Sequence, residues 1–143
     1  MAKGKFITFE GGEGAGKSTQ ARLLCERIEE AGRTVLRTRE PGGTPGAEFA
    51  RHMLKSGAME AYGPFAEAVV LSAARDDHVS AVIAPALKRG EWVVCDRFAD
   101  STRAYQGAAG GVDAKLLENL ETLVVGETRP DLTIVLDAPA DQA

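Results

Sequence analysis

The sequence predicts a three-layer α/β fold, a mainly parallel sheet covered by helices on both faces. Short β-branched and aromatic runs alternate with longer stretches of helical periodicity, the order that builds βαβ units. A glycine-rich octet separates the first such run from the first helical stretch. Chemically active residues follow the apolar runs directly: Glu10, Arg39 and Glu40, Asp96 and Arg97, and Asp137. In open α/β sheets ligands gather at the carboxyl ends of the strands, so these residues are expected to converge.

Each element has its own justification. Lys5-Phe6-Ile7-Thr8-Phe9 predicts a buried strand, and Thr19 to Ala31 a helix with Leu23, Leu24, Arg27 and Ile28 on one face. Arg33 to Arg39 predicts the second strand. Glu40 to Gly46, rich in proline and glycine, predicts a tight loop before a short helix over Ala47 to Ser56. Pro64 is a good first helical residue and opens a long helix reaching Lys88; Pro85 should kink it or sit near its end. Glu91 to Cys95 predicts the third strand. Gly107 to Gly111 reads as a loop. Asp113 caps a helix running to about Val125, and Leu132 to Asp137 predicts the fourth strand.

Bulk properties exclude several classes. A chain of 143 residues suits one domain with a real core, and its 44% apolar and 27% charged content is ordinary for a soluble globular protein. A net charge of −4 argues against a broad nucleic-acid or membrane surface but leaves room for a small basic pocket. No apolar run approaches the roughly 18 residues of a membrane span. The segment before the first strand is too short for a signal peptide, and Glu10 interrupts the apolar run. Cys25 and Cys95 read as small buried residues, not a disulfide or metal site. His52 and His78 read as isolated and solvent-facing. A cytoplasmic location is expected.

Gly11-Gly12-Glu13-Gly14-Ala15-Gly16-Lys17-Ser18 fits G-x-x-x-x-G-K-[ST] between a predicted strand and a predicted helix, the context that motif needs. Glycines bring backbone N–H groups close to an anion, and the helix N-terminus points its positive dipole end at the same spot. Lys17 adds a full charge for the β- and γ-phosphates, and the Ser18 hydroxyl suits Mg2+. Residues 11–19, from Gly11 to Thr19, are therefore expected to bind ATP, and the architecture to be a P-loop NTPase fold.

Three separated motifs, in order, resemble those of bacterial thymidylate kinases. Phe9 to Ser18 is similar to the family's phosphate loop. Thr38-Arg39-Glu40-Pro41-Gly42-Gly43-Thr44 is similar to its second-strand loop, and Asp96-Arg97 with Ser101 to Gln106 to its nucleotide-monophosphate motif. The resemblance implies transfer of the γ-phosphoryl of ATP to dTMP, giving dTDP and ADP, with Mg2+ and in a homodimer. It implies that Glu13 contacts the sugar 3′-hydroxyl and that Arg97 grips the acceptor phosphate through its planar fork. Asp96 resembles the acid near Mg2+, acting through water. Arg75 resembles the arginine that hydrogen-bonds thymine, Ser101 the residue facing the base, and Tyr105 the ring that favours deoxyribose. Gln106 resembles a further base or sugar contact. Lys17 and Arg97 are then the catalytic pair.

Two departures stand out. Leu71 occupies the place where the family often stacks a phenylalanine on thymine, so the base face is covered without aromatic stacking. The family's chain also continues beyond residue 143 into an arginine-rich lid. The expectation is a single kinase domain over residues 1–143, cut before the lid that would supply the transition-state arginine, and so crippled in catalysis by itself. The phosphate loop alone does not separate a thymidylate kinase from another nucleoside monophosphate kinase or a non-catalytic nucleotide switch.

Overall fold

The computed structural model describes residues 3–12 and 14–137. Its sheet contains β1 (Phe6–Glu10), β2 (Val35–Arg39), β3 (Trp92–Asp96) and β4 (Leu132–Val135), all parallel, in the order β2-β3-β1-β4. The register sets Asp96 opposite both Phe9 and Arg39, so the exits of β1, β2 and β3 lie side by side. Between the strands run α1 (Lys17–Glu30), α2 (Pro45–Lys55), α3 (Gly63–His78), α4 (Ala84–Lys88), α5 (Ala99–Thr102) and α6 (Ala114–Val125).

Strand alternation divides the core in two. Phe6, Val93 and Cys95 point to one face and pack with Val79, Ile83, Ala86, Phe98 and Val125. Ile7, Phe9 and Val94 point to the other and pack with Ala21, Cys25 and Ile28 of α1. Helical segments therefore cover both faces, as the near-continuous apolar strands require. Fully burying one such large side chain contributes about 1.5–3 kcal/mol, so both layers are anchored mainly by apolar burial. The Thr8 and Thr133 hydroxyls meet at 2.9 Å and tie β1 to β4 through a polar contact inside the sheet.

Several expectations need correction. The long helix is not continuous: α3 ends at His78, a wider π-helical turn spans Val79–Ile83, and α4 follows. Ala84 donates its N–H to the carbonyl of Val79, five residues back. Pro85 has no N–H to give and its ring crowds the preceding turn, which accounts for a defect at this point. A second π-helical turn, Arg103–Ala108, extends α5 and takes in the first part of the segment expected as a loop from Gly107 to Gly111. The strands are shorter than expected at β2 and β4, since Arg33 and Thr34 precede the ladder and Leu136 and Asp137 follow it. Asp137 is exposed.

The largest correction concerns His78, which is fully buried, whereas His52 is exposed as expected. Cys25 and Cys95 are free and buried, and burial raises both thiol pKa values, that of Cys95 most. Among the described residues no helix is long and apolar enough to cross a membrane.

Candidate functional site

The glycine loop leaves β1 and enters α1 through Gly16, whose φ of 91° belongs to the left-handed region that glycine adopts at little cost. No side chain caps α1 at this end, so its first N–H groups face the cleft at the positive end of the helix. Lys17 is buried and its Nζ donates to the Gly12 carbonyl at 2.8 Å, lying across the inside of the loop. Ser18 and Thr19 are exposed and line the cleft together with Gly14 and Gly16. Gly11 sits back from it, against the Leu136 carbonyl, and Ala15 donates its N–H to Gly12. Glu13 lies outside the described residues.

The opposite wall comes from the exits of β2 and β3 and from α3. Glu40, just past β2, is buried and accepts from Arg75 Nε at 2.6 Å and from His78 Nδ1 at 2.8 Å. Arg75 also donates to Thr102 Oγ1, and its guanidinium lies 5.2 Å from the centre of the Phe98 ring. Phe98 in turn meets Phe6 edge-on at 5.0 Å, so the base of this wall is continuous with the core. Leu71, one turn before Arg75, is half-buried and lines the same wall.

Arg97 follows β3 directly. Its N–H extends the ladder by donating to Phe9, its carbonyl accepts from Cys95 Sγ, and its φ is 70°, the one positive value at a non-glycine residue among those described. The turn drives Phe98 into the core and leaves the Arg97 side chain on the cleft, donating to the Tyr105 hydroxyl and lying 5.3 Å from the centre of that ring. Glu10 fastens this turn from beneath by accepting from Phe98 N and Ser101 Oγ. Burial raises the Glu10 pKa despite those two hydrogen bonds. Asp96 keeps a buried Oδ1 with no hydrogen-bond partner, and Gln106 keeps a buried Oε1 in the same condition.

These walls enclose an open cleft of about 720 Å³, ample for a nucleotide-sized ligand. Its lining holds six cationic side chains (Lys17, Arg39, Arg51, Lys55, Arg75, Arg97) against three acidic ones (Glu40, Glu67, Asp96). The chain as a whole carries −4, so positive charge is concentrated where the strands end. Such a cleft can bind two phosphorylated groups facing each other.

Of the residues predicted from sequence, Gly14, Gly16, Lys17, Ser18, Thr19, Leu71, Arg75, Asp96, Arg97, Ser101, Tyr105 and Gln106 line this one cleft, whereas Asp137 does not. The Ser101 proton is committed to Glu10. Sequence reasoning missed the partners of Arg75: Glu40, Thr102 and Phe98, and His78 behind Glu40. A signal existed, because His78 stands three residues after Arg75 and so shares its helix face.

A sheet with a glycine loop at the exit of β1, a helix N-terminus behind it and a basic cleft over the strand ends defines a P-loop nucleotide-binding protein. Comparison with known proteins sharpens this. The thymidylate kinase family model matches residues 9–143. The thymidylate kinase of Afipia carboxidovorans is 60% identical over 137 residues, covering 96% of this chain and 60% of that protein. That of Bradyrhizobium diazoefficiens is 56% identical over 139 residues, covering 97% and 61%. The crystal structure of thymidylate kinase from Ehrlichia chaffeensis superposes with a TM-score of 0.87 at 40% identity, covering 94% of this chain and 72% of that one. The chain belongs to the thymidylate kinase family. It spans about 60% of the length of these curated relatives.

Proposed function

We propose that the protein transfers the γ-phosphoryl group of Mg·ATP to dTMP, yielding dTDP and ADP. One observation carries the reading: the phosphate loop and Arg97 face each other across a single cleft whose lining is rich in cations. A phosphate oxygen of dTMP attacks the γ-phosphorus in line, and the bond from that phosphorus to the β–γ bridging oxygen breaks as ADP leaves. The acceptor phosphate already carries nucleophilic oxygens near neutral pH, so alignment and charge stabilisation suffice.

In this account Lys17 and the backbone N–H groups of residues 11–19 hold the triphosphate, and Arg97 holds the acceptor phosphate. Arg75 and Leu71 meet the base, with Ser101 and Gln106 beside them. Tyr105 closes the 2′ side, and Glu13 binds the 3′-hydroxyl. Ser18 and the unpartnered Oδ1 of Asp96 fit Mg2+, since hard oxygen donors few in number suit that ion when phosphates complete its shell. Bound there, Mg2+ would neutralise charge developing on the β- and γ-oxygens.

The cytoplasm is the proposed location. A homodimer is also proposed, supported by the exposed Phe65 and Val69 on α3 and Phe49 on the neighbouring α2; a monomer in sedimentation equilibrium at micromolar concentration would count against it. The function itself is tested by steady-state transfer with the full-length protein, Mg2+ and ATP, offering dTMP, dUMP, AMP and CMP in parallel. The reading requires dTMP to be the preferred acceptor by kcat/KM and turnover to stop when Mg2+ is removed. Preference for another monophosphate, or ATP binding without transfer to any, would sink it.

A further inference from the structure

We infer that Thr38, His78 and Glu40 form a positioning relay that fixes the plane of the Arg75 guanidinium toward the acceptor side of the cleft. The inference rests on the acceptor reading of Arg75 given above. The hydrogen-bond directions follow from what each group can do. An ionised carboxylate only accepts, so His78 Nδ1 carries a proton and donates to Glu40 Oε2 at 2.8 Å. Oε1 takes the Nε–H of Arg75 at 2.6 Å. On the far side of the ring Nε2 and Thr38 Oγ1 meet in a hydrogen bond of 2.7 Å, which holds the imidazole from its other edge. The chain runs Thr38 to His78 to Glu40 to Arg75 with every link satisfied.

The relay is buried from His78 to Arg75, with Thr38 half-buried at its outer end. His78 is 0% exposed, Glu40 and Arg75 5% each. Gly43 lies directly over the imidazole with a φ of 93°, and a Cβ there would stand 2.4 Å from the ring. Only glycine lets the loop backbone close this lid. Apolar side chains could fill the same volume without desolvating polar groups. The polar chain does something they could not, which is to hold a guanidinium in one plane.

That plane is fixed at three points: Glu40 at Nε, Thr102 at Nη2 and the Phe98 ring against its face. The Nη1 hydrogens make no hydrogen bond among the described residues, and Arg75 lines the cleft. They are available to an acceptor atom on the base of the monophosphate. His78 and Thr38 touch no substrate in this account and act through Arg75.

The test is steady-state kinetics of the full-length protein carrying His78→Leu, His78→Asn or Thr38→Val, each with and without Arg75→Ala. His78→Leu is expected to raise the KM for dTMP about tenfold, and Thr38→Val about threefold, while the KM for ATP stays within about twofold. His78→Asn, whose amide can donate from near the Nδ1 position, recovers most of the loss. In the Arg75→Ala background all these effects vanish, because the relay has nothing left to orient. Equal rises in both KM values, or effects undiminished without Arg75, would reduce the trio to packing and overturn the relay. If Arg75→Ala raises the KM for dTMP but the relay variants do not, the relay alone falls. If Arg75→Ala leaves that KM unchanged, the acceptor reading falls and the relay with it. Should His78→Leu fail to fold, Thr38→Val, which deletes one hydroxyl at constant shape, decides the matter.

Discussion

Replacing Arg97 by Ala and by Gly separates what this residue costs from what it does. Its φ of 70° lies in the left-handed region, which costs an L-residue about 1–2 kcal/mol and glycine almost nothing. Glycine gives back about 0.4–1 kcal/mol because its unfolded chain is freer. Arg97→Ala and Arg97→Gly lose the same side-chain contacts, among them the hydrogen bond to Tyr105 and the packing on its ring. The difference between them therefore isolates the backbone, and Arg97→Gly should be more stable by about 0.5–1 kcal/mol. This reverses the usual order of alanine over glycine. Urea unfolding followed by circular dichroism measures it, provided the m-values agree. Both variants should lose acceptor affinity alike, about 10–100-fold in kcat/KM for dTMP if a charge-assisted phosphate contact is removed, with the KM for ATP nearly constant. Equal or greater stability of Arg97→Ala would refute the strain argument. Unchanged kcat/KM for dTMP in either variant would refute the clamp.

Other consequences can be checked separately. Leu71→Phe should lower the KM for dTMP by about threefold, because a stacked ring adds attraction beyond simple burial; no change or a rise would mean that Leu71 does not cover the base. Glu10 has its pKa raised by burial above the ordinary carboxylate value near 4.5, so the folded state binds its proton more tightly than the unfolded state does. Its contribution to stability therefore falls as pH rises from about 4.5 through the raised value, and the Tm difference between Glu10→Gln and the parent protein should shift in favour of the variant over that window. A pH-independent difference would contradict this. Cys25 and Cys95, buried and with raised thiol pKa values, should resist alkylation at pH 8 in the native protein and react quickly in urea. Rapid native labelling of Cys95 would show that the β3 exit opens far more than its burial implies.

Much of this molecule was legible in its residue order, and the illegible parts share a cause. The octet ending in Lys17-Ser18 and the apolar runs at β1 and β3 announce a glycine loop on a parallel sheet, because local sequence dictates both. The convergence of Arg39, Asp96 and Arg97 could be anticipated because parallel strands put their carboxyl ends on one edge, whereas Arg75, on a helix, was placed only by the family resemblance. His78 was misjudged because its partners, Thr38 and Glu40, lie 40 and 38 residues away in the chain, and no local pattern encodes that pairing. The π-helical turns at Val79–Ile83 and Arg103–Ala108 were invisible for another reason. One extra residue in a turn hardly disturbs apolar periodicity, and only Pro85 hinted at a defect. Glu40 was noticed as a strand-end charge, but its role as the acceptor between Arg75 and His78 appears only when α3 packs across the β2 exit.

The central claim is that one cleft holds a triphosphate against the glycine loop and a thymidine monophosphate against Arg97 and Arg75. Co-crystallising the full-length protein with dTMP and a non-hydrolysable ATP analogue examines both halves at once. The account predicts the triphosphate on the N–H groups around Lys17, the dTMP phosphate within hydrogen-bond distance of Arg97, and the thymine facing Arg75 Nη1. A monophosphate bound away from Arg97, or a triphosphate seated elsewhere than the loop, would contradict it.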